Sequence, residues 1–165
     1  MFSVGDTVFY EAHGVCTVSD IQDQTFAGKT KAYYILRSHQ NESLTLYHLV
    51  ESKQSKLTHV ASKERAKIIL ETFKKSPEPW LEQPSERSQL YRRVLESNDH
   101  IQIAQMTNTI LRKEAELVVA DKKLHNQDSQ LLKRVLPNLY NELAVSLKIS
   151  ADDVKNKIDK MIAGA

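Results

Sequence analysis

The sequence predicts an α+β chain, with a small, strongly bent antiparallel β-barrel at the N-terminus and an all-α helical domain behind it. Three observations carry this. Residues 1–60 hold short apolar–polar alternations broken by turn residues, the period-two pattern of half-buried strands. From Ala61 the apolar residues recur at helical spacing instead. Gly and Pro number only 4 each in 165 residues, which leaves room for much helix and few long loops. The expected division is therefore 1–60 and 61–165.

Residues 2–10 read as the first strand, with Val4, Val8 and Tyr10 on one face and a bend at Gly5-Asp6. Glu11 to Gly14 form a turn, since Gly14 accepts a positive φ. Val15 to Ile21 make the second strand, where Cys16 and Val18 alternate with Thr17 and Ser19. Gln24-Thr25-Phe26 leads into a hairpin tip at Ala27-Gly28-Lys29. Ala32–Arg37 and Leu44–Leu49 complete a meander of four or five strands. In the second half, Ser62 is a candidate N-cap for a helix over Lys63–Lys75 that buries Ile69, Leu70 and Phe73. Pro77, Pro79 and Pro84 make residues 76–84 an elbow. Ser85 is expected to cap a second helix with the stripe Leu90, Tyr91, Val94 and Leu95. Asp99 is expected to cap a third, running through Lys113 or further, with Ile103, Met106, Thr107, Ile110 and Leu111 inward. A fourth spans Ser129–Leu147, with Pro137 expected to kink or split it. Ser150 and Asp153 open a last helix to Ile162.

Composition narrows the function classes. Hydrophobic residues are 41% and charged residues 27%, a globular balance. The single cysteine, Cys16, excludes an internal disulfide and a multi-thiolate zinc site, and fits a reducing compartment. No run approaches the length of a membrane span and no leader pattern opens the chain, so a cytoplasmic protein with no membrane partner is expected. Residues 1–60 hold five Lys/Arg against six Asp/Glu, and residues 61–165 eighteen against fifteen. That excess is too small for an autonomous DNA binder. His13 and Cys16 stand alone, without the further ligands a metal needs or the orienting group a thiol nucleophile needs. Cys16 reads as a small buried hydrophobe. His39, His48, His59, His100 and His125 show no ligand spacing, and there is no phosphate-binding glycine loop. The expectation is a non-enzyme with no cofactor, no metal and no small-molecule substrate.

Two passages resemble one family. Phe2-x-Val4-Gly5-Asp6-x-Val8-x-Tyr10-x-x-His13-Gly14, followed by Val18-x-x-Ile21 and by Gly28 before Tyr33-Tyr34-x-Leu36, is similar to the CarD/CdnL bacterial transcription regulators. It is similar also to the polymerase-binding module of transcription-repair coupling factors. Leu95-Glu96-Ser97-Asn98-Asp99 resembles the family's helix junction, and Leu124 to Ala144 its closing helices. The resemblance implies a Tudor-like barrel that binds the β subunit of RNA polymerase, and a helical domain that contacts promoter DNA at the edge of the open bubble. A tryptophan would wedge against the minor groove there, with Arg/Lys on phosphates. Carried onto this sequence, the polymerase-binding residues are Gln24, Thr25 and Phe26, with Tyr47 facing them from a neighbouring strand. The DNA-binding residues are Trp80, Arg87, Arg92 and Arg93.

This chain departs from the pattern at several of these positions. Relatives carry arginine at the positions of Gln24 and Tyr47, so docking here would rest on strand-edge hydrogen bonds and the Phe26 and Tyr47 rings. Trp80 lies about one helical turn early, and one base, Arg87, stands where relatives have three. The alternatives stay open at this point. Trp80 is either a wedge or an anchor packed on the helices. Arg87, Arg92 and Arg93 are either phosphate contacts or a solvated helix face. Arg112 and Lys113 read as solvent-facing. The whole chain is either a regulator of the open complex or a polymerase-binding adaptor without DNA contact. A hydrolase built on Cys16 and His13 has almost nothing in its favour.

Overall fold

The computed structural model describes every residue except Ala12, Ser55 and Ala165. The chain divides into two compact units, Met1–Val60 and Ala61–Ala165.

The first unit is one antiparallel sheet. Its strands are β1 (Thr7–Tyr10), β2 (Gly14–Phe26), β3 (Lys29–Ser38), β4 (Thr45–Leu49) and β5 (Leu57–His59), in the order β4-β3-β2-β1-β5. The sheet coils on itself. Leu46 of one marginal strand and Leu57 of the other pack into the same cluster as Val8, Cys16, Val18, Tyr34 and Leu36. Alternation explains the membership, because Val8, Cys16 and Val18 point inward while Thr7 and Thr17 point out. The β2–β3 register shifts between Val18 and Asp20, where Ser19 forms a bulge and its Oγ donates to Ile35 O at 3.0 Å. A bulge of this kind bends a strand and sharpens its twist, as a small barrel requires.

The first strand is shorter than expected. Gly5, at φ +92°, turns the chain and donates its N–H to Val18 O at 2.7 Å, so pairing with β2 starts as a turn and becomes a ladder only at Thr7. Val4 is thus exposed, while Phe2 meets the rings of Tyr34 and His59. By contrast β2 is longer than expected and runs to Phe26.

The second unit is helical: α1 (Lys63–Glu71) followed by a 3-10 turn (Thr72–Lys74), α2 (Pro84–Glu96), α3 (His100–Val119), α4 (Asn126–Leu147) and α5 (Ala151–Ile162). Ser62 accepts from Arg65 N, Asp99 from Ile101 N and Gln102 N, and Ser150 from Asp153 N, as their cap positions demand. One expectation fails and another is narrowed. Gln83, not Ser85, holds the cap position of α2, because Pro84 has no N–H to lose and its fixed φ suits the first helical residue. Pro137 does not split α4, which continues as one helix to Leu147. The core has two centres. Ile69, Leu70, Phe73, Ala104, Leu143, Val154 and Ile158 form one. Tyr91, Met106, Ile110 and Leu132 form the other, with Trp80 against it. Leu90 of the expected stripe is 37% exposed.

The elbow is fastened down. Asn108 Nδ2 donates to Lys75 O at 3.0 Å and Glu78 N donates to Thr109 Oγ1 at 3.0 Å. No helix among the described residues is long and apolar enough to cross a membrane.

Candidate functional site: an open strand edge and a buried arginine

The β2–β3 ribbon outruns its neighbours. β1 pairs with β2 only over Gly14–Thr17, and the last hydrogen bonds on that side among the described residues are both at Val18: its N–H donates to Asp6 O at 2.9 Å and its carbonyl accepts from Gly5 N at 2.7 Å. Beyond Val18, Asp20–Phe26 pairs with β3 alone among the described residues. The ribbon ends in a two-residue turn with Ala27 at φ 49° and Gly28 at φ 75°, the pair of positive φ values that matches the right-handed strand twist.

Two side contacts show which backbone groups face the open margin. Ile21 N donates to Asp20 Oδ1 at 2.8 Å, so it points away from β3. On the opposite strand, Ala32, the partner of Asp23, turns its carbonyl outward to accept from Val50 N at 3.0 Å. Antiparallel pairs alternate between bonded and non-bonded types. Asp23 and Thr25 therefore present N–H and C=O to the margin, whereas Gln22, Gln24 and Phe26 exchange their bonds with β3.

The expected docking residues divide accordingly. Thr25 supplies margin backbone, and its Oγ1 meets Thr30 Oγ1 at 2.7 Å. Gln24 and Phe26 share the outward face of the sheet. Phe26 is 52% exposed and meets Tyr33 edge-on at 5.3 Å between centroids. Tyr47 is half-exposed but does not face Gln24–Phe26 from a neighbouring strand. It sits on β4, across from Ile35, with β3 between it and β2. The aromatic companion of Phe26 is Tyr33, which the strand alternation could have indicated.

The second candidate cluster lies in the helical unit, and here the structure reassigns a residue. Arg87 is not a surface base. It is 3% exposed, and its Nη2 donates to Asp128 Oδ2 at 2.8 Å. Its Nη1 donates to Leu81 O at 2.7 Å and Glu82 O at 3.2 Å. Its guanidinium also lies 4.4 Å from the centre of the Trp80 ring. The fork is fully engaged, so neither the phosphate contact nor the solvated face describes it. Lys113 Nζ stands 5.6 Å from the Trp80 ring centre, and Trp80 itself is partly buried. Arg92 and Arg93 are exposed. Arg112, expected to face solvent, donates to Asn108 Oδ1 at 2.9 Å and Phe73 O at 2.7 Å. The partner of Arg87, Asp128 in the first turn of α4, carries no local sequence signal because it is 41 residues away.

Burial pushes the Cys16 thiol up to about 11, and the residue is fully buried. A thiol held protonated in an apolar core is a poor nucleophile. No group of three or more His, Cys, Asp or Glu side chains among the described residues is arranged to hold a metal.

Residues 2–61 match the family model of the CarD-like/TRCF RID domain, so the N-terminal unit of this chain, with its open β2 margin, belongs to that family of transcription-related, RNA polymerase-binding domains.

Proposed function

We propose that the chain is a transcription regulator that binds the β subunit of RNA polymerase along the free margin of β2 and acts on the promoter open complex through its helical unit. The observation that carries the reading is the unpaired edge from Asp20 to Phe26, because an exposed edge accepts a partner strand by main-chain hydrogen bonds. Thr25→Pro tests it directly. Proline there removes an N–H that faces the margin and leaves the bonds to β3 intact, a substitution that edge strands tolerate. Capture of core RNA polymerase should fall to background in the variant; capture at the wild-type level would exclude the β2 margin.

For the helical unit, the exposed pair Arg92 and Arg93 supports phosphate contact, and Trp80 supports an apolar contact at the bubble edge. Trp80→Ala should then shorten the lifetime of the open complex. A second reading is favoured by one specific observation. The guanidinium of Arg87 is engaged inside the unit and Trp80 is stacked on it. Under that reading the chain is a polymerase-binding adaptor without DNA contact. Binding of the polymerase complex to a forked duplex separates the two, since each lost phosphate contact lowers the salt slope by about 1. With Arg92→Glu and Arg93→Glu the slope should fall by about 2; an unchanged slope leaves the adaptor.

A further inference from the structure

The exposed tip of the ribbon carries charge in a definite order. Gln24 pairs in register with Lys31 and Phe26 with Lys29, so both lysines share the outward face with Phe26 and Tyr33. Both are exposed, and neither has an ion-pair partner among the described residues. Toward the base of the ribbon the sign reverses. Asp20 lies on the same face, six residues back along β2, and is occupied locally. Its Oδ1 accepts from Ile21 N at 2.8 Å and its Oδ2 from Gln22 Nε2 at 2.6 Å.

Asp20 thus has two effects on an incoming strand. It occupies the next margin N–H, so pairing stops before Ile21 and the rail is confined to Asp23 and Thr25. It also places a negative charge at that end of the outward face. The two ammonium groups stand at the other end, two ladder positions apart with the Thr25–Thr30 pair between them. A lysine side chain spans about 6 Å and strands lie about 4.8 Å apart, so Lys31 reaches over Gln24 to a carboxylate on a strand added beyond β2.

We infer that Lys29 and Lys31 form a charge-reading pair beside the β2 margin, and that the docked partner is an extended protein segment with acidic residues on its outward face at the end nearest the hairpin tip. Asp20 repels the opposite alignment and sets the direction of the strand. This rests on the docking reading above and specifies the chemistry of its partner.

The test measures the affinity of the full chain for purified core RNA polymerase at two salt concentrations. The wild type, Lys29→Glu/Lys31→Glu and Lys29→Arg/Lys31→Arg are compared, with Lys63→Glu/Lys67→Glu on α1 as a control of net charge. The Glu pair should weaken binding at least tenfold at low salt and flatten its salt dependence. The Arg pair and the α1 control should stay within twofold of wild type. Because the substituted side chains are exposed and unpaired, far-UV circular dichroism should not change. Equal affinity of the wild type and the Glu pair would overturn the lysine assignment and leave the margin itself standing. Loss of duplex-DNA binding by the Glu pair, with polymerase affinity unchanged, would overturn it in favour of a nucleic acid. Absence of wild-type capture would overturn the docking reading and this inference together.

Discussion

Replacing Arg87 with alanine separates an interior role from a DNA-contacting one. The wild-type guanidinium satisfies a buried carboxylate and two main-chain carbonyls, and stacks on Trp80. Arg87 is 3% and Asp128 1% exposed, so truncation leaves the carboxylate without a counter-charge where water scarcely reaches. Removing one member of a buried pair costs about 3–5 kcal/mol. Asp128 lies in the first turn of α4, where the helix dipole returns up to about 1 kcal/mol of that. The net expectation is a loss of roughly 2–5 kcal/mol. For a unit of this size that lowers the unfolding midpoint by roughly 8–20 °C. Thermal unfolding of the full chain, followed by helical circular dichroism and by fluorescence of Trp80, the sole tryptophan, measures it. A surface arginine held for phosphate contact would change stability by less than about 0.5 kcal/mol. A midpoint shift of under about 2 °C would therefore refute the interior assignment. The double variant Arg87→Met/Asp128→Leu should be more stable than either single change, since apolar replacement removes both charges together.

Other outcomes follow from single residues. Ala27 holds φ 49° without a side-chain hydrogen bond to favour it, so Ala27→Asn or Ala27→Gly should stabilise the first unit by about 1 kcal/mol, read from its denaturant midpoint. Burial raises the Cys16 thiol from 9.0 to about 11, so the folded state holds its proton longer than the unfolded one; that share of stability is complete below pH 9 and is lost as pH rises toward 11. Burial, then the negative charge of Asp128, raises Tyr91 from 10.0 to about 12, which adds a second alkaline loss in the helical unit above pH 10. Cys16→Ala should remove the first of these two steps and spare the second. Burial lowers the His48 imidazole below its ordinary 6.5, so the unfolded chain takes up the proton first and the barrel should lose stability as pH falls through that value. An acid midpoint unmoved by His48→Gln would place the proton uptake elsewhere.

The barrel and the starts of three helices were legible because each follows from local chemistry. Ser62, Asp99 and Ser150 announce their helices by the hydroxyl or carboxylate that accepts from the first turn. The alternation around Cys16 and Val18 reports one buried face. The full reach of β2 was not legible, since Asp20, Gln22, Asp23 and Gln24 lack the apolar alternation that marks a half-buried strand. They hold strand geometry because β3 pairs with them and Ala27-Gly28 closes the ribbon. The fate of Arg87 was hidden for a different reason. A helical arginine beside other bases looks solvated in sequence, and only the fold brings a carboxylate to it from another helix.

The same polarity that conceals the ribbon in sequence suits it to selective docking. An apolar strand of this length, open on one side, would pair with copies of itself. Here the open stretch offers main-chain groups framed by Asp20 at one end and Lys29 and Lys31 at the other, with Phe26 and Tyr33 as the aromatic contact. Main-chain pairing does not depend on which side chain stands at position 24, so glutamine there leaves the hydrogen-bonding rail whole. What a charged side chain adds is selection among strands that could all pair. In this chain that selection moves to the facing strand, where Lys31 stands in register with Gln24.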